Sequence, residues 1–375
     1  MHAVQGNNPA DSGRGRAMKQ IILSPENNYA ELDDFFESNR TKKILLVCGN
    51  SLSLLKISGY FDSLEARKGI CVFKFSDFSP NPVYESVVRG EEFFAEKKCD
   101  TIVAAGGGSA MDVAKCIKFR SKSSAKILAV PTTAGTGSES TKFAVIYLNG
   151  EKKSVADSSI IPDAILFDPD FLSTLPVFQK KVTVLDAFCH AIESFWSVNS
   201  TDESKNFSRN AIQLILHNAD EFFRGKNECN EKMMKAANLA GKAIDIAQTT
   251  AGHAMSYVLT GVFGIPHGLA AAICVSKVWR YMIFNPEKCA DVRGEKYLQK
   301  TFDEIAESMG CPSAESALKK FDAFLDGLNC SADFSSCVFD LEKFASSVNQ
   351  ERLKNNPVKL DFCALKEIYA QILGK

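Results

Sequence analysis

Short apolar runs alternate with helical spacing through the first half of the chain. Lys43-Ile44-Leu45-Leu46-Val47-Cys48 ends in Gly49-Asn50-Ser51, the pattern of a buried parallel strand that turns into a helix. Ile70-Cys71-Val72-Phe73-Lys74-Phe75 predicts a second strand. Pro80-Asn81-Pro82 then breaks the chain, and 83–98 carries helical spacing. Thr101-Ile102-Val103-Ala104-Ala105 predicts a third strand that runs into Gly106-Gly107-Gly108-Ser109, with a helix over 110–119. Ile127-Leu128-Ala129-Val130, stopped by Pro131, predicts a fourth, and Ala164-Ile165-Leu166-Phe167-Asp168 the last. Strand alternating with helix over this length implies an α/β domain with a mainly parallel sheet.

After Leu175-Pro176 the period changes. From Lys181 onward helical spacing dominates, as in 211–223 and 232–247, and strand patterns all but vanish. The expected organisation is a leader over 1–17, an α/β domain over 18–180 and an all-α domain over 181–375. The leader is polar and glycine-rich, lacks the apolar core of a signal peptide, and is expected to be disordered.

Composition narrows the function classes. The chain has 375 residues, 45% hydrophobic and 24% charged, with a formal net charge of -1. That balance provides no basic field for nucleic acid or anionic lipid. No apolar run approaches the roughly 18 residues needed to cross a membrane. Twelve dispersed cysteines without a CxxC pair read as buried free thiols, which points to the cytoplasm.

Candidate chemistry gathers in two helical segments. Gly252-His253-Ala254-Met255-Ser256-Tyr257 and Pro266-His267-Gly268 carry two of the five histidines, and Asp186-Ala187-Phe188-Cys189-His190 carries a third. Asp186 and His190 are four apart and share a helix face. One carboxylate and three imidazoles form a four-ligand set for a divalent first-row metal. Glu193, one turn beyond His190, is either an acceptor that supports it or a surface carboxylate. His217, on an amphipathic helix, and His2, in the leader, receive no role.

Gly106-Gly107-Gly108-Ser109 lies where an α/β sheet binds ligands, at the carboxyl end of a strand. Its glycines let the backbone approach an anion ahead of a helix N-terminus. It is not the GxGxxG fingerprint, because Met stands at position 111. Pro131-Thr132-Thr133-Ala134-Gly135-Thr136-Gly137-Ser138-Glu139, after the next strand, adds hydroxyl and backbone donors. Two such loops side by side favour a pyrophosphate cradle over plain turns.

Together these segments resemble the iron-containing (group III) alcohol dehydrogenase family. The resemblance is carried by Gly106 to Ser109 with Asp112 and Lys115, the loop from Pro131 to Glu139, Asp186 with His190, His253, and Pro266-His267-Gly268. It implies a dinucleotide-binding domain, a helical metal-binding domain, and a metal and nicotinamide meeting between them. The implied metal ligands are Asp186, His190, His253 and His267. The implied cofactor contacts are Asn81, Gly106, Gly107, Gly108, Ser109, Asp112, Thr132, Thr133 and Ser138. Lys153 matches a family lysine near the nicotinamide ribose, with a solvated turn charge as the other reading. The implied metal is Fe(II), with Zn(II) favoured by intrinsic affinity. Family members are often homo-oligomers.

Two departures stand out. Many members carry a histidine where this chain has Tyr257, whose hydroxyl either passes a proton or packs; its ordinary pKa near 10 makes it the poorer base. At the end of the first strand, NAD-preferring members often have an aspartate that repels a 2′-phosphate. Gly49-Asn50-Ser51 replaces it here, which leans toward NADP(H). The surroundings of the ligands resemble a branch associated with reduction of phosphonoacetaldehyde to 2-hydroxyethylphosphonate. Lys205 and Arg209, four apart, are the candidate cations for the phosphonate, unless they form an ordinary solvated face; Arg280 is a weaker one. The expected activity is a metal-dependent NAD(P)(H) alcohol dehydrogenase or aldehyde reductase acting on a small aldehyde or primary alcohol, including the 1,3-propanediol or butanol type. The alternatives are a metal- and NAD-dependent lyase of the dehydroquinate synthase kind, which looks for a different ligand set, and a nucleotide-binding module without catalysis.

Overall fold

The computed structural model describes residues 20–332, 334 and 340–374. The leader over 1–17 lies outside the described residues. Eight strands are labelled in chain order: β1 (Ile21–Leu23), β2 (Lys43–Cys48), β3 (Cys71–Phe75), β4 (Thr101–Gly106), β5 (Lys126–Pro131), β6 (Phe143–Leu148), β7 (Glu151–Ala156) and β8 (Ala164–Leu166). Six of them form one sheet in the order β1-β8-β5-β4-β2-β3, every pairing parallel. Successive residues of each strand face opposite sides. Ile44, Leu46, Val103, Ala105, Leu128 and Val130 pack under α1 (Glu26–Ser38) and α2 (Ile57–Lys68). Leu45, Val47, Ile102, Ala104, Ile127 and Ala129 pack under α3 (Tyr84–Lys97) and α4 (Gly108–Ser121). Burial on both faces is why these strands read as unbroken apolar runs. From β2 the chain steps to one edge at β3, and from β4 to the other side at β5. The order therefore reverses between β2 and β4, where sheets of this kind form their ligand crevice.

The remaining elements are helical: α5 (Val177–Trp196), α6 (Asp202–Phe223), α7 (Asn230–Ala247), α8 (Ala251–Phe263), α9 (His267–Phe284), α10 (Glu295–Ser308), α11 (Ala314–Gly327), α12 (Leu341–Ser347), α13 (Gln350–Leu353) and α14 (Phe362–Ile372). The molecule thus joins an N-terminal α/β domain with a parallel sheet to a C-terminal all-α domain. α5 is the axis of the second part. It packs against α6, α7 and α9, and its stretch from Val184 to Trp196 is buried throughout.

Three features depart from the sequence expectation. β1 and α1 precede the first predicted strand. The last strand stops at Leu166, because Asp168 turns to cap the next turn: it accepts from the Asp170 backbone (3.0 Å) and from Tyr29 Oη (2.7 Å). The antiparallel hairpin β6–β7 was not expected at all. β7 reads Glu-Lys-Lys-Ser-Val-Ala, with no fully buried residue, so it has no apolar run to announce it. Every cysteine in the described residues is a free thiol. Cys48, Cys99, Cys116, Cys189, Cys229 and Cys274 are buried as expected, but Cys363 is exposed and Cys71, Cys289, Cys311 and Cys330 are partly so. Among the described residues no helix is long and apolar enough to cross a membrane.

Lys115 ties the sheet to the loop that leads into the hairpin. Its side chain is 1% exposed. The ammonium donates to the carbonyls of Ser138, Thr141 (2.7 Å) and Phe143 (2.9 Å) and contacts the Thr141 hydroxyl at 3.1 Å. Burial lowers its pKa to about 8, against the pull of Asp112, Glu139 and Asp245, so it is largely charged at pH 7. Lys115→Met strands three buried carbonyls, and we expect it to destabilise the protein by roughly 3 kcal/mol in urea or guanidinium unfolding. No change in the unfolding midpoint would contradict this role.

Candidate active site

The expected metal ligands converge at the inner end of a cleft between the sheet edge and the helices. Asp186 and His190 come from the buried face of α5, His253 from the first turn of α8, and His267 opens α9. The Nε2 atoms of His253, His190 and His267 lie 3.4, 3.8 and 3.8 Å from Asp186 Oδ1. Ligand atoms of Asp186, His253 and His267 all fall within 4.8 Å of one another. His190 stands at the rim of that trio, its ring stacked on His253 with centroids 4.5 Å apart. Two glycines permit the convergence. A Cβ on Gly268 would sit 1.9 Å from the Val182 carbonyl, so only glycine lets α9 cross α5 beside Asp186. A Cβ on Gly252 would sit 2.5 Å from Val275 Cγ2 and 3.1 Å from Glu193 Oε1.

Electrostatics prepare these groups for a cation. Burial opposes ionisation of Asp186, but His190, His253 and His267 outweigh it and hold its carboxyl well below the usual range. Burial lowers His190 to about 4, although Asp186 pulls it up. Desolvation and the nearby Lys152 push His267 well below its ordinary value. Both imidazoles are therefore neutral near pH 7 and keep a lone pair free. His190 Nδ1, the ring nitrogen other than the one nearest Asp186, is buried and has no hydrogen-bond partner among the described residues. Neutral imidazoles and an ionised carboxylate are the donor set that a divalent first-row metal needs.

Glu193 fits neither of the places its spacing suggests. It is no surface carboxylate, since it is fully buried, and it serves His253 rather than His190. His253 Nδ1 donates to Glu193 Oε2. Glu193 Oε1 accepts from the Thr250 hydroxyl (2.6 Å), the Thr250 backbone (3.1 Å) and the His253 backbone (3.3 Å). Trp196 Nε1 in turn donates to the Thr250 hydroxyl (2.9 Å). Burial works against both members of the pair, yet each stabilises the charge of the other. Glu193 is lowered, and His253 is raised to about 10. The bond to Nδ1 fixes the ring so that Nε2 faces Asp186.

The cleft itself measures about 640 Å³. Its sheet side is lined by Asn81, Gly107, Gly108, Ser109, Asp112, Thr133 and Ser138, and its helical side by the metal-ligand set and Tyr257. Gly107 to Ser109 sit at the N-terminus of α4, whose free N–H groups suit a phosphate. Ser138 donates to Asp112 (3.0 Å).

Residues 20–169 match the family profile described as iron-containing alcohol dehydrogenase, and residues 181–373 match the C-terminal profile of the Fe-containing alcohol dehydrogenase family. The chain belongs to the iron-containing alcohol dehydrogenase family. It is 30% identical over 339 residues to an aldehyde-alcohol dehydrogenase of Streptococcus pneumoniae, an alignment that covers 80% of this chain and 38% of that one. The chain therefore spans little more than a third of the length of that relative. It is 29% identical over 306 residues to a phosphonoacetaldehyde reductase of Streptomyces viridochromogenes, covering 74% of this chain and 76% of that one. The crystal structure of a 1,3-propanediol oxidoreductase superposes with a TM-score of 0.83 at 26% identity, covering 94% of this chain and 97% of the other.

Several residues expected for this dehydrogenase family member lie elsewhere. Gly106 and Thr132 stand just behind the lining, joined by the Thr132 N–H to the Gly106 carbonyl (3.0 Å). Gly49 and Ser51 sit at the end of β2, on the same sheet edge but outside the cleft lining. Lys153 points away: it is exposed and paired with Glu151 at 2.7 Å. The hairpin pairs Tyr147 with Lys152 and Ile146 with Lys153, so Tyr147 and Lys152 share the cleft face. A one-residue difference in a strand exchanges faces, which is why Lys152 is the cleft lysine. Lys205 and Arg209 do not line the cleft. Lys205 is buried against Glu304 (2.9 Å) and Thr301 (3.0 Å), and Arg209 lies over Phe195. Arg280 is paired with Asp322 at 3.0 Å. His217 is exposed to solvent on its helix, its Nδ1 against the Gln213 carbonyl. Tyr257 lines the cleft, with its ring stacked on His267 and Lys152 above it at 3.5 Å. Sequence reasoning missed Lys152, Thr250 and Arg352, none of which belongs to a recognisable spacing.

Glu193→Gln keeps the shape but removes the charge that orients His253. We expect metal retention against a competing chelator to fall about 10- to 100-fold. Unchanged retention by elemental analysis would rule out the supporting role of Glu193.

Proposed function

We propose that the protein is a metal-dependent NAD(P)(H)-linked alcohol dehydrogenase that works as a reductase of small aldehydes, with phosphonoacetaldehyde as its substrate. The observation that carries this reading is the convergence of Asp186, His190, His253 and His267 at one end of a cleft whose other side presents the Gly107–Ser109 turn. When bound, a divalent ion supplies Lewis acidity toward the substrate oxygen, and the nicotinamide supplies the hydride. Asp186, His253 and His267 hold the ion, with His190 closing the set. Glu193 holds His253 by Nδ1 with Nε2 turned toward Asp186, where a bound metal would replace the Nε2 proton. Gly107, Gly108, Ser109, Thr133 and Ser138 hold the dinucleotide, and Asn81 lines its path.

Tyr257 is placed to handle the proton. Burial raises its hydroxyl, but Lys152, Arg352 and His253 outweigh that and lower it below the ordinary phenol value. A lowered phenol is a better acid toward a developing alkoxide and a better base in the reverse direction. The metal is proposed to be Fe(II). The cofactor is proposed to be NADP(H), because no carboxylate stands at Gly49-Asn50-Ser51 to repel a 2′-phosphate. The free cysteines support a reducing, cytoplasmic setting. The phosphonate assignment draws on the relative from Streptomyces viridochromogenes.

Chelator-treated protein is expected to lose nearly all reductase activity and to regain it with Fe(II). NADPH oxidation should be followed with phosphonoacetaldehyde and propanal, and repeated with NADH. Full activity after verified metal removal would overturn the metal-dependent mechanism.

A further inference from the structure

We propose that Arg352 and Lys152 form an anion subsite in the cleft that takes the terminal anionic group of a short aldehyde substrate. This rests on the reductase reading above and adds its substrate class: aldehydes with a phosphonate, sulfonate or carboxylate close to the carbonyl.

Charges in the cleft are unevenly matched. Glu351 is taken up by Lys354 (2.7 and 2.8 Å), and Asp112 accepts from Ser138 and lies in the field of Lys115 and, less strongly, of Lys152. Arg352 has no carboxylate partner among the described residues. Its Nη1 donates to the Thr249 hydroxyl (2.8 Å), and the guanidinium makes no other hydrogen bond among the described residues. Lys152 likewise has no acceptor among the described residues. Both cations meet the ring of Tyr257, Lys152 Nζ at 3.5 Å and Arg352 Cζ at 5.8 Å from its centroid. That ring stacks on His267, with centroids 5.9 Å apart. Two unpaired cations and a metal-ligand histidine therefore share one aromatic ring. A substrate whose carbonyl reaches the ligand set can reach the cations only if its anion is a short step away.

Arg352 is held in place before any ligand arrives. The Asn349 side chain caps α13 and accepts from the backbones of Glu351 (2.9 Å) and Arg352 (3.3 Å). Asn355 Nδ2 donates to the Thr249 carbonyl (3.1 Å), pinning this strap to the segment that opens α8. The next residue, Thr250, donates to Glu193, which orients His253. One five-residue segment, 249–253, thus sets the distance between guanidinium and metal ligands. The cofactor phosphates have separate donors at Gly107 to Ser109, on the sheet side. A planar guanidinium fork with free donors is suited to bidentate pairing with a phosphonate or carboxylate.

The test compares holoenzyme and Arg352→Gln, with kcat/KM for phosphonoacetaldehyde and for propanal measured side by side. We expect the ratio of the two to fall roughly 10- to 100-fold, the usual loss for one charge-assisted hydrogen bond. Arg352→Lys should recover part of the ratio, which a purely structural role for the side chain would not produce. An unchanged ratio, or a parallel loss with both aldehydes accompanied by a rise in the KM for NADPH, overturns the subsite and assigns Arg352 to the cofactor or the fold. Failure of the reductase reading is distinguishable, because the wild-type protein would then turn over neither aldehyde. In that case calorimetric binding of 2-hydroxyethylphosphonate to the wild type, lost in Arg352→Gln, carries the subsite, and its absence in the wild type overturns it.

Discussion

Two carboxylates buried on one face of α5 govern the chemistry of this protein. Asp186 and Glu193 stand two helical turns apart inside a helix whose neighbours are Phe188, Ile192, Phe195 and Trp196, all buried. Ionised carboxylates in such surroundings are tolerated only when charge and hydrogen bonds surround them. Glu193 is met by His253 and Thr250. Asp186 is met by three ring nitrogens, two of them on imidazoles that burial keeps neutral. A divalent cation at this point would offset that negative charge, and the neutral imidazoles would add ligands without adding charge. Of the three histidines that meet Asp186, only His253 is raised, and it carries the charge that answers Glu193.

The packing follows from that meeting. α5, α8 and α9 come close enough for ligand atoms of Asp186, His253 and His267 to lie within 4.8 Å of one another. Glycines stand next to the histidines of α8 and α9: Gly252 makes room for Val275 and Glu193, and Gly268 makes room for the backbone of α5. On the opposite wall the sheet ends in the turn before α4, and Lys115 anchors the loop from Ser138 to Phe143 beneath it. The cleft is bounded by the Asp186, His253 and His267 cluster on one side and by the glycine turn before α4 on the other. Hydride transfer needs both groups held in fixed relation.

The sequence alone determined a great deal. Strands buried on both faces announce themselves as apolar runs, so β2, β3, β4 and β5 were legible, as was the change to helical period near residue 180. Asp186 and His190 were legible because spacing of four is a property of the helix itself. Gly106 to Ser109 was legible because glycines at the end of a strand have local backbone meaning. The tertiary structure decided whatever depends on partners distant in the chain. β7 is half solvated, so its existence and its register came from pairing with β6, and the register in turn chose Lys152 over Lys153. Lys205 looked like a free cation until Glu304, about a hundred residues away, was found beside it. The helix spacing of Glu193 allows a bond to His190 or a place at the surface, whereas it is buried and its partner His253 lies on another helix. Arg352 sits in a short helix without periodicity, and only its place over Tyr257 shows it. Local spacing records which residues share a face of one element; it carries no record of which charge on a different element will neutralise them.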